Sequence, residues 1–189
     1  MLYDKLNYYS QCLSEVERIG DHTVNLAETV AEHVDSGETF SALANSEITI
    51  IRDAVNQIVD YSLKAITELD VEAARKIEPL EEVIDDLVAA VRQKHIERLH
   101  NGLCTTYNGM HFLDILTTLE RVSDHCSNIG LFTLSLYNKQ VMESPHNYAK
   151  YLHSGKDDLF NEMFDSNYKM YFDRLNALSG INEPVPVNV

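Results

Sequence analysis

Apolar residues recur at steps of three and four along almost the whole 189-residue chain, and no two-residue alternation competes with them. That periodicity predicts helices from end to end. Only 7 glycines and 4 prolines interrupt it, too few for the turns of a β fold. The first stretch runs through Leu6, Leu13, Val16, Ile19, Val24, Leu26, Ala27, Val30, Ala31 and Val34, and stops at Asp35-Ser36-Gly37. A second starts at Ser41, a candidate N-cap, and reaches Leu69, with Leu43, Ile48, Ile51, Val55, Ile58, Val59 and Ile66 facing inward. Asp70 can cap a short segment, and Pro79 predicts a kink before a helix that extends to His100. Asn101-Gly102 closes it, and a fourth helix spans Tyr107 to Lys139. Met142–Gly155 reads as a connection. Asp157–Leu178 is helical again, with Phe160, Phe164, Tyr168, Tyr171 and Phe172 forming an aromatic face.

The expected fold is all-α: an antiparallel bundle of long helices with an additional C-terminal helix. Helices of this length measure about 45 Å at 1.5 Å per residue. Residues 1–143 make the bundle, and residues 144–178 hold the connection and the aromatic helix packed on it. The tail 179–189, with Pro184 and Pro186, is expected to be disordered.

Charge narrows the function classes. Thirty acidic against 15 basic side chains give a formal charge of −15, which excludes nucleic-acid binding by phosphate neutralisation and docking through a polybasic patch. No apolar run approaches the roughly 18–20 residues of a membrane span, and no signal-peptide pattern opens the chain. Cys12, Cys104 and Cys126 are too scattered for a disulfide framework or a zinc knuckle, which points to a reducing compartment.

The most informative feature is an internal repeat. Glu17-Arg18-Ile19-Gly20-Asp21-His22-Thr23-Val24-Asn25 recurs as Glu120-Arg121-Val122-Ser123-Asp124-His125-Cys126-Ser127-Asn128, identical at five of nine positions. On a helix, residues four apart share a face, so Glu17, Asp21 and Asn25 form one oxygen-rich stripe and Glu120, Asp124 and Asn128 another. Glu81 and Asp85 make a third acidic pair at the same spacing, with Glu78, Glu82 and Asp86 beside it. Carboxylates at i and i+4 repel, so stripes that face inward need a counter-charge. A cation held by carboxylate and amide oxygens supplies one. The stripes are therefore expected to face other helices or a groove. A single Glu-x-x-x-Asp is ordinarily solvated surface; the duplication, which repeats Asn and His as well, is what favours a site. His22 and His125 read as orienting residues, and the Gly20/Ser123 exchange as a need for a small residue at a close helix approach. Glu97-x-x-His100 has the form of half a di-iron motif but has no second copy at a sensible spacing.

The doubled signature resembles that of the PhoU domain family, with one copy on the third helix of each three-helix unit; Glu81-Glu82-Val83-Ile84-Asp85 resembles the acidic stretch of the family's middle helix. The likeness covers roughly Leu6 to Lys139. With one motif helix, one full unit and an extra helix, the chain is similar to the cytoplasmic C-terminal portion of a bacterial sodium-dependent phosphate cotransporter. This resemblance implies regulation of phosphate transport without catalysis, in the cytoplasm or as the cytoplasmic domain of an inner-membrane protein. It implies as partners a transporter membrane domain, upstream in the same polypeptide, and a homodimer, with no nucleic acid and no direct membrane insertion by this segment. It also implies divalent or trivalent metal ions (iron, zinc or nickel) at Glu17, Asp21, Glu81, Asp85, Glu120 and Asp124, with Asn25 and Asn128 as second choices. The alternatives are a carboxylate-bridged di-metal enzyme of the di-iron type and a purely structural helical adaptor.

Overall fold

The computed structural model describes residues 2–138, 141 and 144–178, and every element among them is helical. The long helices are α1 (Leu2–Asp35), α2 (Ala42–Glu68), α4 (Ile77–His100) and α5 (Thr106–Ser135); α3 (Val71–Arg75) is a single short helix between α2 and α4. After α5 come α6 (Pro145–Tyr151), a π-helical turn (Leu152–Lys156) and α7 (Asp158–Ala177). The expected tail at 179–189 lies outside the described residues.

Local chemistry sets the helix ends. Ser41 accepts from the Ala44 amide, Asp70 from those of Glu72 and Ala73, Thr105 from Asn108 and Asp157 from Phe160. Each cap satisfies N–H groups that the first turn leaves without an intrahelical partner. Gly37 closes the turn after α1 at φ 75°, a conformation that costs glycine nothing. Pro79 falls in the first turn of α4, where its missing N–H is harmless; the break occurs at Lys76, and α4 itself is not kinked by proline. Met142–Gly155 is not the plain connection expected from its Ser-Pro and Ser-Gly pairs. It contains α6 and most of the π-helical turn, within which Gly155 takes φ 74°.

Helix α5 is the central element, packed against α1, α2, α3 and α4. The core is sealed by Ile51 and Ile58 of α2, Leu80, Ile84 and Leu87 of α4, and Phe112, Leu116 and Ile129 of α5, all fully buried. Gly130 allows a close approach: a Cβ there would stand 3.1 Å from the Cβ of Ile77. Burial of each large aliphatic side chain contributes about 1.5–3 kcal/mol. Helix α7 packs against α4 and α2, where Tyr171 donates to Gln57 Oε1 at 2.6 Å and Arg174 pairs with Asp53 at 2.6 Å.

Helix α1 runs antiparallel to α5. Tyr8 bonds Thr133 at 3.1 Å near one end, and His33 packs beside His111 near the other. Its inward face differs from the one read from periodicity. Tyr8, Cys12, Glu15 and His33 are buried, whereas Leu6, Leu13, Val16, Val24, Val30 and Val34 are exposed. Gly20 likewise borders open space, so no close approach explains it.

Candidate metal centre

The two copies of the repeat meet at the α1–α5 contact, where the His22 and His125 rings stack with centroids 5.2 Å apart. Beside them Glu15 accepts from His125 Nδ1 at 2.7 Å and from Asn128 Nδ2 at 3.1 Å. Asn128 is thus engaged with α1. Burial and the neighbouring cations hold His22 below its ordinary value.

The stripes then part company. Glu17, Asp21 and Asn25 are exposed, because nothing described covers that side of α1. This corrects the expectation that both stripes face helices. The stripe on α5 does face one: α4 lies against it and brings Glu81 and Asp85 towards Asp124. Oxygens of these three carboxylates lie within 4.8 Å of one another. No Lys or Arg among the described residues pairs with any of them. Glu120 is already neutralised, by Arg92 at 2.8 Å, which also reaches Thr117.

A second group adjoins the first through Glu81. Glu78, Glu81 and His153 offer ligand atoms within 4.8 Å of one another. His153, on the π-helical turn, places Nε2 3.0 Å from Glu78 and Nδ1 3.2 Å from Glu82; Ser127 donates to the other oxygen of Glu78. His153, Glu78 and Arg92 were not among the sequence-derived site residues. His153 is 72 residues from Glu81, and only the tertiary fold brings them together.

The electrostatics follow from crowding of carboxylates partly withdrawn from solvent, with Asp124 and His153 still exposed. Burial, then the charges of Glu78, Asp85 and Asp124, push Glu81 up to about 9. Burial and the charges of Asp124 and Glu120 push Asp85 up to about 7. Asp124 is raised for the same reasons, and His153 is raised chiefly by its bond to Glu78. Asp85 Oδ1 is buried without a hydrogen-bond partner among the described residues. Such a group is costly unless a proton or a cation satisfies it. The donor set, oxygens with one imidazole nitrogen, suits hard and borderline metal ions. Glu97 and His100 sit elsewhere: about 24 Å separates Glu97 from Glu81 along α4, and Gln93 donates to Glu97 at 3.2 Å.

Fold and site together define an all-α bundle domain with carboxylates gathered between its middle helix and a duplicated motif helix. The PhoU domain family's model matches residues 48–133, from within α2 to near the end of α5. A relative from Thermotoga maritima, phosphate-specific transport system accessory protein PhoU homolog 1, is 28% identical over 116 residues. The match covers 61% of this chain and 49% of the relative, so the chain spans about half the length of the curated relative it matches. No solved structure gives a significant match. No helix among the described residues is long and apolar enough to cross a membrane.

Proposed function

We propose that this chain is a non-catalytic, metal-binding regulatory domain of phosphate uptake, and that it serves as the cytoplasmic part of a sodium-dependent phosphate cotransporter. The observation that carries the metal reading is Asp85 Oδ1, buried without a hydrogen-bond partner among the described residues and beside two further carboxylates with which no described Lys or Arg forms an ion pair. Glu81, Asp85 and Asp124 would hold the ion, with Glu78 and His153 adjoining through Glu81. Glu120 stays with Arg92 and orients the helix contact. The link to phosphate uptake is supported by the PhoU match and by the relative's name. A cation also gives the link a physical basis: it reverses the sign of an acidic surface that would otherwise repel phosphate. Glu17, Asp21, Asn25 and Asn128 are not assigned to this ion.

Elemental analysis of the purified chain, alongside phosphate uptake in cells that carry the intact or substituted domain, tests both halves. Stoichiometric metal that is lost in the Glu81→Gln/Asp85→Asn variant, with altered uptake, is the expected outcome. A metal-free chain with unaltered uptake leaves a structural adaptor.

A further inference from the structure

A cavity of about 390 Å³ opens at the end of the bundle where α2 and α5 begin and α4 finishes. Its walls come from the link before α2, the first turns of α2, the last turns of α4 and the start of α5, and none belongs to α1. Sites for small molecules have volumes of roughly 300–1,000 Å³. His95, part of the wall, lies ten residues beyond Asp85 on α4, about 15 Å along the axis, so the cavity is separate from the carboxylate centre.

Two polar atoms of the lining residues have no hydrogen-bond partner among the described residues: Nε2 of His95 and Oδ1 of Asn108. Both residues are buried, at 2% and 5% exposure. Their roles are fixed from behind. Arg98 stands 3.4 Å from Nδ1 of His95 and can only donate, so Nδ1 accepts and the ring's proton is on Nε2. Burial and the Arg98 charge push His95 down to about 4, which keeps the ring neutral. The Gly109 backbone lies alongside without completing a hydrogen bond, and a Cβ there would stand 3.2 Å from Nε2. Asn108 donates through Nδ2 to Glu38 Oε2 at 3.0 Å and to the Thr39 carbonyl at 3.5 Å, which leaves Oδ1 as the free acceptor. The wall thus presents one N–H donor and one carbonyl acceptor, each held by bonds at its other end. The charges around the cavity cancel, Glu47 and Glu97 against Lys94 and Arg98, so an inorganic anion meets no net attraction. Phe40 and Phe112 add flat apolar surface.

We propose that this cavity binds a neutral, planar nitrogen heterocycle of the nucleobase class, its donor–acceptor edge bonded to Asn108 and His95. Adenine presents such an edge, an amino group beside a ring nitrogen. The amino group donates to Asn108 Oδ1, the ring nitrogen accepts from His95 Nε2–H, and both orphaned atoms gain a partner at once. Aromatic surface accepts any base, so the edge sets the choice.

Isothermal titration calorimetry of the intact chain tests this with adenine, adenosine, uracil and 6-dimethylaminopurine. One site per chain is expected for at least one of the first three, and at least tenfold weaker binding for the dimethylamino compound than for adenine, because it cannot donate. His95→Phe keeps a ring on Phe112 but removes the donor; it should weaken binding at least tenfold with unchanged helicity by circular dichroism. Leu43→Trp, which fills the cavity from α2, should abolish binding, and Asp85→Asn, in the carboxylate centre, should leave it unchanged. In the wild-type chain the NMR signal of the His95 Nε2 proton should move downfield as the site saturates. No saturable heat with adenine, adenosine or uracil, equal affinity for inorganic phosphate, or a site indifferent to both His95→Phe and Leu43→Trp would each overturn the proposal.

Discussion

At the scale of single residues, the carboxylates of α4 have the clearest physical consequence. Glu81 is held up at about 9 and Asp85 at about 7, both above their unfolded values of 4.5 and 3.8. The folded state therefore binds more protons than the unfolded state across that window. Linkage then makes the metal-free protein lose stability as pH rises from about 4 through 9, and regain it on acidification. Glu81→Gln deletes the larger of the two effects. It should stabilise the metal-free chain at pH 8.5 by at least about 1.4 kcal/mol, the equivalent of one pK unit, and flatten the pH dependence. Urea melts at pH 5.5 and 8.5 check this, and an unchanged slope counts against it. The buried pair Glu47–Arg98, bonded at 3.0 and 2.6 Å, is a case where deleting one partner destabilises. Arg98→Ala would leave Glu47, 1% exposed, without its cation. A loss of about 3–5 kcal/mol is expected, read from the midpoint of the same melts.

At the scale of elements, what could be read in the sequence depends on how local the signal is. Ser41 and Asp70 declare the starts of α2 and α3 because a cap is a bond across three residues. The period of α1 is equally local, but it encodes two apolar stripes. Nothing in spacing alone says that Tyr8, Cys12 and His33 face the core while Leu6 and Leu13 do not. The acidic stripes divide for the same reason: α4 covers the copy on α5, and no described element covers the copy on α1. His153 escapes sequence reading altogether, since its place over Glu78 depends on a turn that contains a left-handed glycine. Phe160 anchors the first turn of α7, 7% exposed, with its ring centroid 5.5 Å from that of His153. Phe160→Ala should cost about 3 kcal/mol. It should loosen α7 selectively, with faster amide exchange there and unchanged protection in α4 and α5.

At the scale of the whole molecule, the carboxylate centre sits where three parts of the chain converge. Glu81 and Asp85 come from the middle helix, Asp124 from the motif helix, and His153 from the turn that leads into α7. A cation held by Glu81, Asp85 and Asp124 would tie the middle helix to the motif helix, with the turn adjoining through Glu81, and its binding free energy would add to the free energy of folding. Ligand at 100 times its dissociation constant contributes about 2.7 kcal/mol. For a chain of this length that corresponds to a rise in Tm of roughly 5–10 °C. The rise has a pH signature, because metal and protons compete for Glu81 and Asp85. It should be small at pH 5.5, where both carboxyls hold their protons, and largest at pH 8.5, where displacing them costs least. Asp85→Asn and Asp124→Asn should each abolish most of the rise, whereas Asp21→Asn, on the exposed stripe of α1, should leave it intact. Calorimetric scans of the chelator-treated chain with and without added zinc, at both pH values, decide the matter. A rise of equal size at the two pH values, or one that Asp21→Asn removes, would place the ion elsewhere on the bundle.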